Sequence, residues 1–181
     1  SLTAAGSMMG SGGMIVMDED NCMVQVARFY LGFIVEESCG KCTPCRIGNK
    51  RMLEILDKIV EGKGKVEDLD KLESLAGVIK DTALCGLGQT SPNPILSTLS
   101  NFRDEYMEHV VENKCRSKQC TSMLSYTINP EKCIGCRLCA KNCPVSAISG
   151  ELKQVHTIDQ SKCIKCGVCL SNCRLHAISL K

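Results

Sequence analysis

The spacing of its cysteines constrains this chain more than any other feature. Residues 131–149 read EKCIGCRLCAKNCPVSAIS and residues 161–179 read SKCIKCGVCLSNCRLHAIS, so four cysteines recur at an offset of 30 residues. Cys133, Cys136, Cys139 and Cys143 follow the spacing C-x2-C-x2-C-x3-C, and Cys163, Cys166, Cys169 and Cys173 repeat it. Each copy is too short to enclose a core of its own. Two copies therefore predict a pseudo-symmetric domain held together by metal–thiolate bonds. Composition agrees: 15 of 181 residues are Cys, Trp is absent, and there are three Tyr and three Phe, which excludes an aromatic-rich sandwich core. An odd number of cysteines cannot all pair internally as disulfides. No run of 18 apolar residues and no basic leader is present, so the expectation is a reducing, cytoplasmic setting without membrane insertion. Residue 1 is not Met and the chain opens in a Gly/Met-rich stretch, so it is expected to be part of a longer subunit.

Hydrophobic periodicity divides the rest. Residues 1–19 read as the end of a preceding domain, with Met14–Met17 as a short strand and Gly10–Gly13 as a plain turn rather than a phosphate loop. Residues 20–113 carry four amphipathic helices. The first follows the capping pair Asp20/Asn21 and ends near Glu37. The second begins at Pro44 and stops at Gly62–Gly64. The third runs from about Val66 to Lys80. The fourth follows Pro94, with Ile95, Leu99, Phe102, Tyr106 and Val110 on one face, and ends near Asn113. Short connections between four such helices predict an up-down-up-down bundle. Residues 114–128 read as a linker with one strand at Met123–Ile128, and 129–181 as the cysteine-repeat domain. The fold class expected is α plus a small α+β domain.

Within the bundle a second cysteine constellation stands out: Cys39, Cys42 and Cys45 in ESCGKCTPCR, with Cys85 forty residues further on. Three close thiols and one remote thiol suit one 4Fe–4S cluster, and four thiolates for zinc are the alternative. The first and third connections of an up-down bundle share one end, so the four sulfurs can converge. Pro44 and Cys45 open a helix there, which turns N–H donors toward an anionic cluster.

Three cysteines remain: Cys22, Cys115 and Cys120. With His109 they approach structural zinc spacing, and the bundle ends carrying Cys22 and His109 lie together, opposite the first constellation. One Zn held by Cys22, His109, Cys115 and Cys120 is the expectation. Free thiols and a further iron–sulfur centre stay open as alternatives. His156 is expected on a surface hairpin, and His176, which aligns with Ser146, is not expected to be a ligand. No Ser/His/Asp set, spaced carboxylate pair or Walker loop is present, so no catalytic residue is assigned. The formal charge of +2 and the lack of interleaved aromatic and basic residues give no case for nucleic acid.

The repeat resembles the bacterial two-cluster ferredoxin family over residues 129–181. By that resemblance the fourth Cys of each run serves the other cluster. One cluster would use Cys133, Cys136, Cys139 and Cys173, and the other Cys163, Cys166, Cys169 and Cys143. Arg174 stands where the family usually has Pro. ESCGKCTPCR and CGLGQT make residues 20–112 similar to the iron–sulfur domain of the flavoprotein subunit of NADH:quinone oxidoreductase, and GSGGMIVMDED resembles its preceding segment. The combination looks like the beta subunit of soluble NAD-linked, electron-bifurcating iron-only hydrogenases. The resemblance implies that FMN and NAD belong to an upstream region, so these residues alone would not oxidise NADH.

The function expected is an electron-transfer module of three 4Fe–4S clusters with a zinc-stapled hinge. It would relay electrons between a flavin/NAD(H) site, other clusters and a ferredoxin or hydrogenase partner. Other hydrogenase or oxidoreductase subunits are the expected partners, with soluble ferredoxin as a further candidate. Three all-thiolate clusters would bring the working charge to about −4. Alternatives are the same wiring in an NADP-reducing hydrogenase or formate dehydrogenase complex, a zinc-stapled interaction module, and a redox sensor.

Overall fold

The computed structural model describes residue 10 and residues 12–180. The chain folds as two units, Ser1–Met123 and Leu124–Lys181. Each has its own buried cluster of side chains.

The first unit is helical. Helix α1 (Met23–Glu37) begins where Cys22 leaves the extended conformation, and the Met23 N–H donates to Glu105 Oε2 at 3.1 Å. A wide π turn (Pro44–Gly48) runs directly into α2 (Asn49–Val60). Gly62, at φ +75°, lets the chain turn away from α2. Helix α3 (Val66–Thr82) is followed by a single turn, α4 (Gly86–Thr90), then α5 (Asn93–Asn101) and α6 (Arg103–Met107). A π turn (Glu108–Glu112) ends at Asn113 in the left-handed region. Helix α1 packs on α2 and α5, α2 packs on α3, and α3 packs on α5, which closes a four-membered ring. Leu31, Met52, Leu56, Leu72, Ile79 and Leu99 meet inside it.

Several local expectations change. Met14–Met17 forms no strand and its apolar side chains are exposed. The first nine residues lie outside the described residues, as does Ser11 of the Gly10–Gly13 turn. The fourth helix is broken at Phe102 (φ −131°, ψ 36°). A continuous helix would put Phe102 and Tyr106 on one face. The break re-phases the chain, leaving Phe102 at 41% exposure while Tyr106 is fully buried with its hydroxyl 2.8 Å from Thr98 Oγ1. The helix from Pro44 opens with a π turn, and the turn at Gly86–Thr90 is additional.

The second unit has four short strands and two short helices. Strand β1 (Tyr126–Ile128) pairs antiparallel with β4 (Ile178–Leu180), and β2 (Ile148–Ser149) pairs antiparallel with β3 (Thr157–Ile158). The strand expected at Met123–Ile128 is thus confined to its last three residues, after a 3-10 turn at Thr121–Met123. Helices α7 (Leu138–Lys141) and α8 (Val168–Asn172) carry the third cysteine of each run. Each sheet joins a strand of one repeat to a strand of the other, so the halves interlock. The backbone obeys the repeat: positive φ recurs at Gly135/Lys165, Arg137/Gly167 and Ser146/His176. His156 is buried instead of lying on the hairpin surface, because Gly150 brings the chain against its ring.

Asp68 anchors the start of α3. Its buried carboxylate accepts from Lys58 Nζ at 2.6 Å, Lys71 Nζ at 3.3 Å and the Lys65 N–H at 3.0 Å. Burial pushes this carboxyl up, but the three donors outweigh it and hold it below the usual value. A lowered folded-state value means the contribution is present above the unfolded carboxyl range and is lost as pH falls through the folded value. Asp68→Ala should therefore lower the stability of the helical unit at pH 7 by about 1–3 kcal/mol in urea denaturation.

Candidate functional site

At one end of the bundle, the loop before α4 meets the cysteine turn that follows α1. Cys39 and Cys42 precede the π turn, Cys45 lies within it, and Cys85 sits at the entrance to α4. The backbone N–H groups of Leu84 and Cys45 point at the Cys42 sulfur and hold its thiol below the ordinary value. Leu84 adjoins Cys85, so the remote loop rests on the cysteine turn. Gly88 makes that approach feasible, since a Cβ there would lie 2.6 Å from Ala83 Cβ and 3.2 Å from Cys45 Cβ. The buried Cys45 sulfur has Asn49 Nδ2 and Ser38 Oγ each at 3.4 Å. Asn49 is itself fully buried and accepts from Ser91 Oγ at 2.8 Å. As a thiolate Cys45 can only accept, so both neighbours donate to it and favour added negative charge. Sequence reasoning missed Asn49. Its signal was a polar residue one helical turn after Cys45.

The second unit builds two cavities. One, of about 400 Å3, is lined by Cys133, Cys136, Cys139 and Cys173. The other, smaller, is lined by Cys143, Cys163, Cys166 and Cys169. Each therefore gathers three cysteines of one run and the fourth of the other. The Ala147 N–H donates to Cys143 Sγ at 3.2 Å and the Ala177 N–H to Cys173 Sγ at 3.3 Å, equivalent bonds at the repeat offset. Burial pushes the Cys139 and Cys169 thiols up. A bound metal cluster relieves that penalty by neutralising the thiolates. His156 lines the larger cavity, with Nδ1 3.1 Å from the Gln154 carbonyl and Nε2 without a hydrogen-bond partner. The 30-residue offset sets it opposite Tyr126, which is the sequence signal for its buried place.

At the other end of the bundle, Cys22, His109, Cys115 and Cys120 are all buried, with one donor atom from each lying within 4.8 Å of the others. Cys22 Sγ and Cys120 Sγ are 3.8 Å apart, and His109 Nε2 is 3.4 Å from both. A tetrahedral zinc site with Zn–S bonds of about 2.3 Å sets its ligand atoms about 3.8 Å apart, so the set has the scale of a single ion. His109 Nδ1–H donates to the Glu105 carbonyl at 2.7 Å, which leaves Nε2 free to be a ligand. Burial pushes the His109 imidazole down, but Cys115 and Cys22 outweigh it and raise it to about 10. Hydrogen bonds from Cys120 and Cys22 hold the Cys115 thiol below its ordinary value. Four converging donor atoms, three of them sulfur, are what could hold one metal ion here. Arg116 is engaged elsewhere, with Glu108 and Asp104.

Comparison with known proteins gives these centres a context. Residues 25–109 match the NADH-ubiquinone oxidoreductase-F iron-sulfur binding region, and residues 126–180 match a 4Fe-4S dicluster domain. The NADP-reducing hydrogenase subunit HndC of Solidesulfovibrio fructosivorans is 63% identical over 156 residues, covering 86% of this chain and 32% of the relative. That alignment is longer than the helical unit, so it extends into the second. The F 2 subunit of NADH-quinone oxidoreductase from Rhizobium meliloti (strain 1021) is 43% identical over 115 residues, 64% of this chain and 27% of the relative. A crystal structure of an NAD+-reducing [NiFe]-hydrogenase in the H2-reduced state matches at a TM-score of 0.51 and 28% identity. It covers 52% of this chain and 16% of that one. The chain therefore spans a third or less of the length of these relatives. The chain carries one 4Fe–4S region of the NADH-ubiquinone oxidoreductase-F type and a 4Fe–4S dicluster domain. No described helix is long and apolar enough to cross a membrane.

Gly88→Ala tests the tight approach at the first centre. The added Cβ should push the Cys85 loop off Cys45, so that iron in anaerobically purified protein falls by about four atoms per chain, one cluster, while the dicluster domain keeps its iron.

Proposed function

We propose that this chain, an NADH-ubiquinone oxidoreductase-F-type iron–sulfur region joined to a 4Fe–4S dicluster domain, is the electron-relay portion of a hydrogenase flavoprotein subunit. Cys39, Cys42, Cys45 and Cys85 hold the first cluster. Cys133, Cys136, Cys139 and Cys173 hold the second, and Cys163, Cys166, Cys169 and Cys143 the third. Electrons pass between a flavin and nicotinamide site in the upstream region and a hydrogenase partner or ferredoxin. The extent of the match to an NADP-reducing hydrogenase subunit favours NADP over NAD as the distant couple. Each cluster exchanges one electron at a time. Splitting an electron pair between two acceptors, as bifurcation requires, would be the task of the upstream flavin.

The observation that carries this reading is the partition of the eight repeat cysteines into two separate four-cysteine cavities. The protein's own part is to seat the thiolates, aim N–H donors at them and exclude water. Potentials follow from those donors, burial and nearby charge. Coulometric reduction of the anaerobically purified chain should take up about three electrons, with about twelve iron atoms per chain. Uptake of less than one electron, in protein that cannot be reconstituted with iron and sulfide, would contradict the relay.

The buried Cys22, His109, Cys115 and Cys120 set we assign to structural zinc. It fastens the segment containing Cys115 and Cys120 to the start of α1, just before the second unit begins at Leu124, and so forms the fixed side of a hinge. Helix α1 starts beside this set and ends beside Cys39. Its 15 residues span about 22 Å, which separates the zinc from the first cluster. His109→Ala should remove about one zinc per chain while iron content is retained, and should lower stability by several kcal/mol in thermal unfolding. Equal zinc in the variant would remove the assignment.

A further inference from the structure

Applying the 30-residue offset to the two cavities isolates what differs between them. Every residue lining the cavity of Cys143, Cys163, Cys166 and Cys169 has its counterpart in the lining of the other. Most counterparts are identical or similar, as with Ile134 and Ile164. Three are not. Arg137 replaces Gly167, Arg174 replaces Pro144, and His156 replaces Tyr126. One cavity is thus rimmed by two permanent cations where its twin has none.

Burial of the third cysteine and backbone donation to the fourth are matched. Cys139 and Cys169 are 9% and 8% exposed. The Ala177 and Ala147 N–H groups donate at 3.3 and 3.2 Å to Cys173 and Cys143, one bond for each cavity. Among the described residues, neither Arg137 nor Arg174 is ion-paired with a carboxylate, whereas Lys162, which lines neither cavity, is paired with Asp159. Neither guanidinium charge is therefore neutralised by a carboxylate among the described residues.

We infer that Arg137 and Arg174 make the cluster of Cys133, Cys136, Cys139 and Cys173 the easier of the two to reduce. The added electron raises the cluster's negative charge, and two nearby guanidinium groups stabilise that charge. The arginines are positioning charges and touch no substrate. Internal transfer then has a direction. One electron leaves the cluster flanked by Gly167 and Pro144, which is oxidised, and arrives at the cluster flanked by Arg137 and Arg174, which is reduced. No proton or further reactant is needed. At rest the electron sits at the arginine-flanked site, which makes that site the exit toward an acceptor.

The inference rests on the reading that the eight cysteines hold two cubanes, so its test separates the two. Iron is counted and midpoint potentials are followed by low-temperature EPR in the full 181-residue chain, purified anaerobically. The variant is Arg137→Gly with Arg174→Gln. Glycine suits position 137, where φ is +64°, and Arg174 is exposed, so neither change should disturb the fold. If the double variant loses iron, Arg137→Gly alone decides in the same way. The expected result is two distinct potentials for the dicluster domain, of which the higher falls toward the lower in the variant at unchanged iron content. Unchanged potentials at full iron, or a fall of the lower one instead, would overturn the inference alone. A wild-type chain without two clusters in the second unit would overturn it together with the reading beneath it.

Discussion

Metal–thiolate bonds stand in for a hydrophobic core in the second unit. Its buried apolar cluster consists of Tyr126, Cys139, Ile148, Cys169 and Ile178, and two of those five are cysteines. A segment of this size with so little apolar burial cannot offset its conformational entropy unaided. The strand pairing supplies the geometry: β1 with β4 and β3 with β2 each join opposite halves. Each cavity draws on both halves in the same way. Sheet and cluster therefore reinforce one another, and neither half is complete alone.

The helical unit uses the opposite arrangement. Its closed ring of α1, α2, α3 and α5 has an apolar core, and its cysteine sets lie at the two ends. Helix ends are where backbone N–H groups lack intrahelical partners. Leu84 and Cys45 turn theirs toward Cys42, and the buried pair Asn49 and Ser91 extends that donor set to Cys45. At the far end the donor atoms lie within single-ion reach.

Much of this is legible in the cysteine spacing. The repeat announces its own symmetry, and the leftover residues Cys22, His109, Cys115 and Cys120 do meet in space. Helix positions follow from apolar periodicity; in α3 Leu69, Leu72, Ala76 and Ile79 are buried at that period, whereas α1 buries Val24 and Leu31 and leaves Val26, Tyr30 and Ile34 part-exposed. Less visible is anything set by a single backbone torsion. Phe102 fits the apolar stripe of the fourth helix, yet the break there turns it out and Tyr106 in. His156 reads as a surface residue because its neighbours Lys153 and Gln154 are polar, whereas its repeat partner Tyr126 points to burial. Asn49 and Ser91 are ordinary polar residues in sequence, and only their meeting beside Cys45 gives them a role.

The central claim is that twelve cysteines serve three clusters while the remaining three, with His109, serve one ion. Native mass spectrometry of the intact chain, kept anaerobic, reads that division directly. The account predicts one dominant species whose added mass equals about three 4Fe–4S clusters and one zinc. A dominant species carrying only zinc ions, or one with a fourth cluster and no zinc, would contradict it.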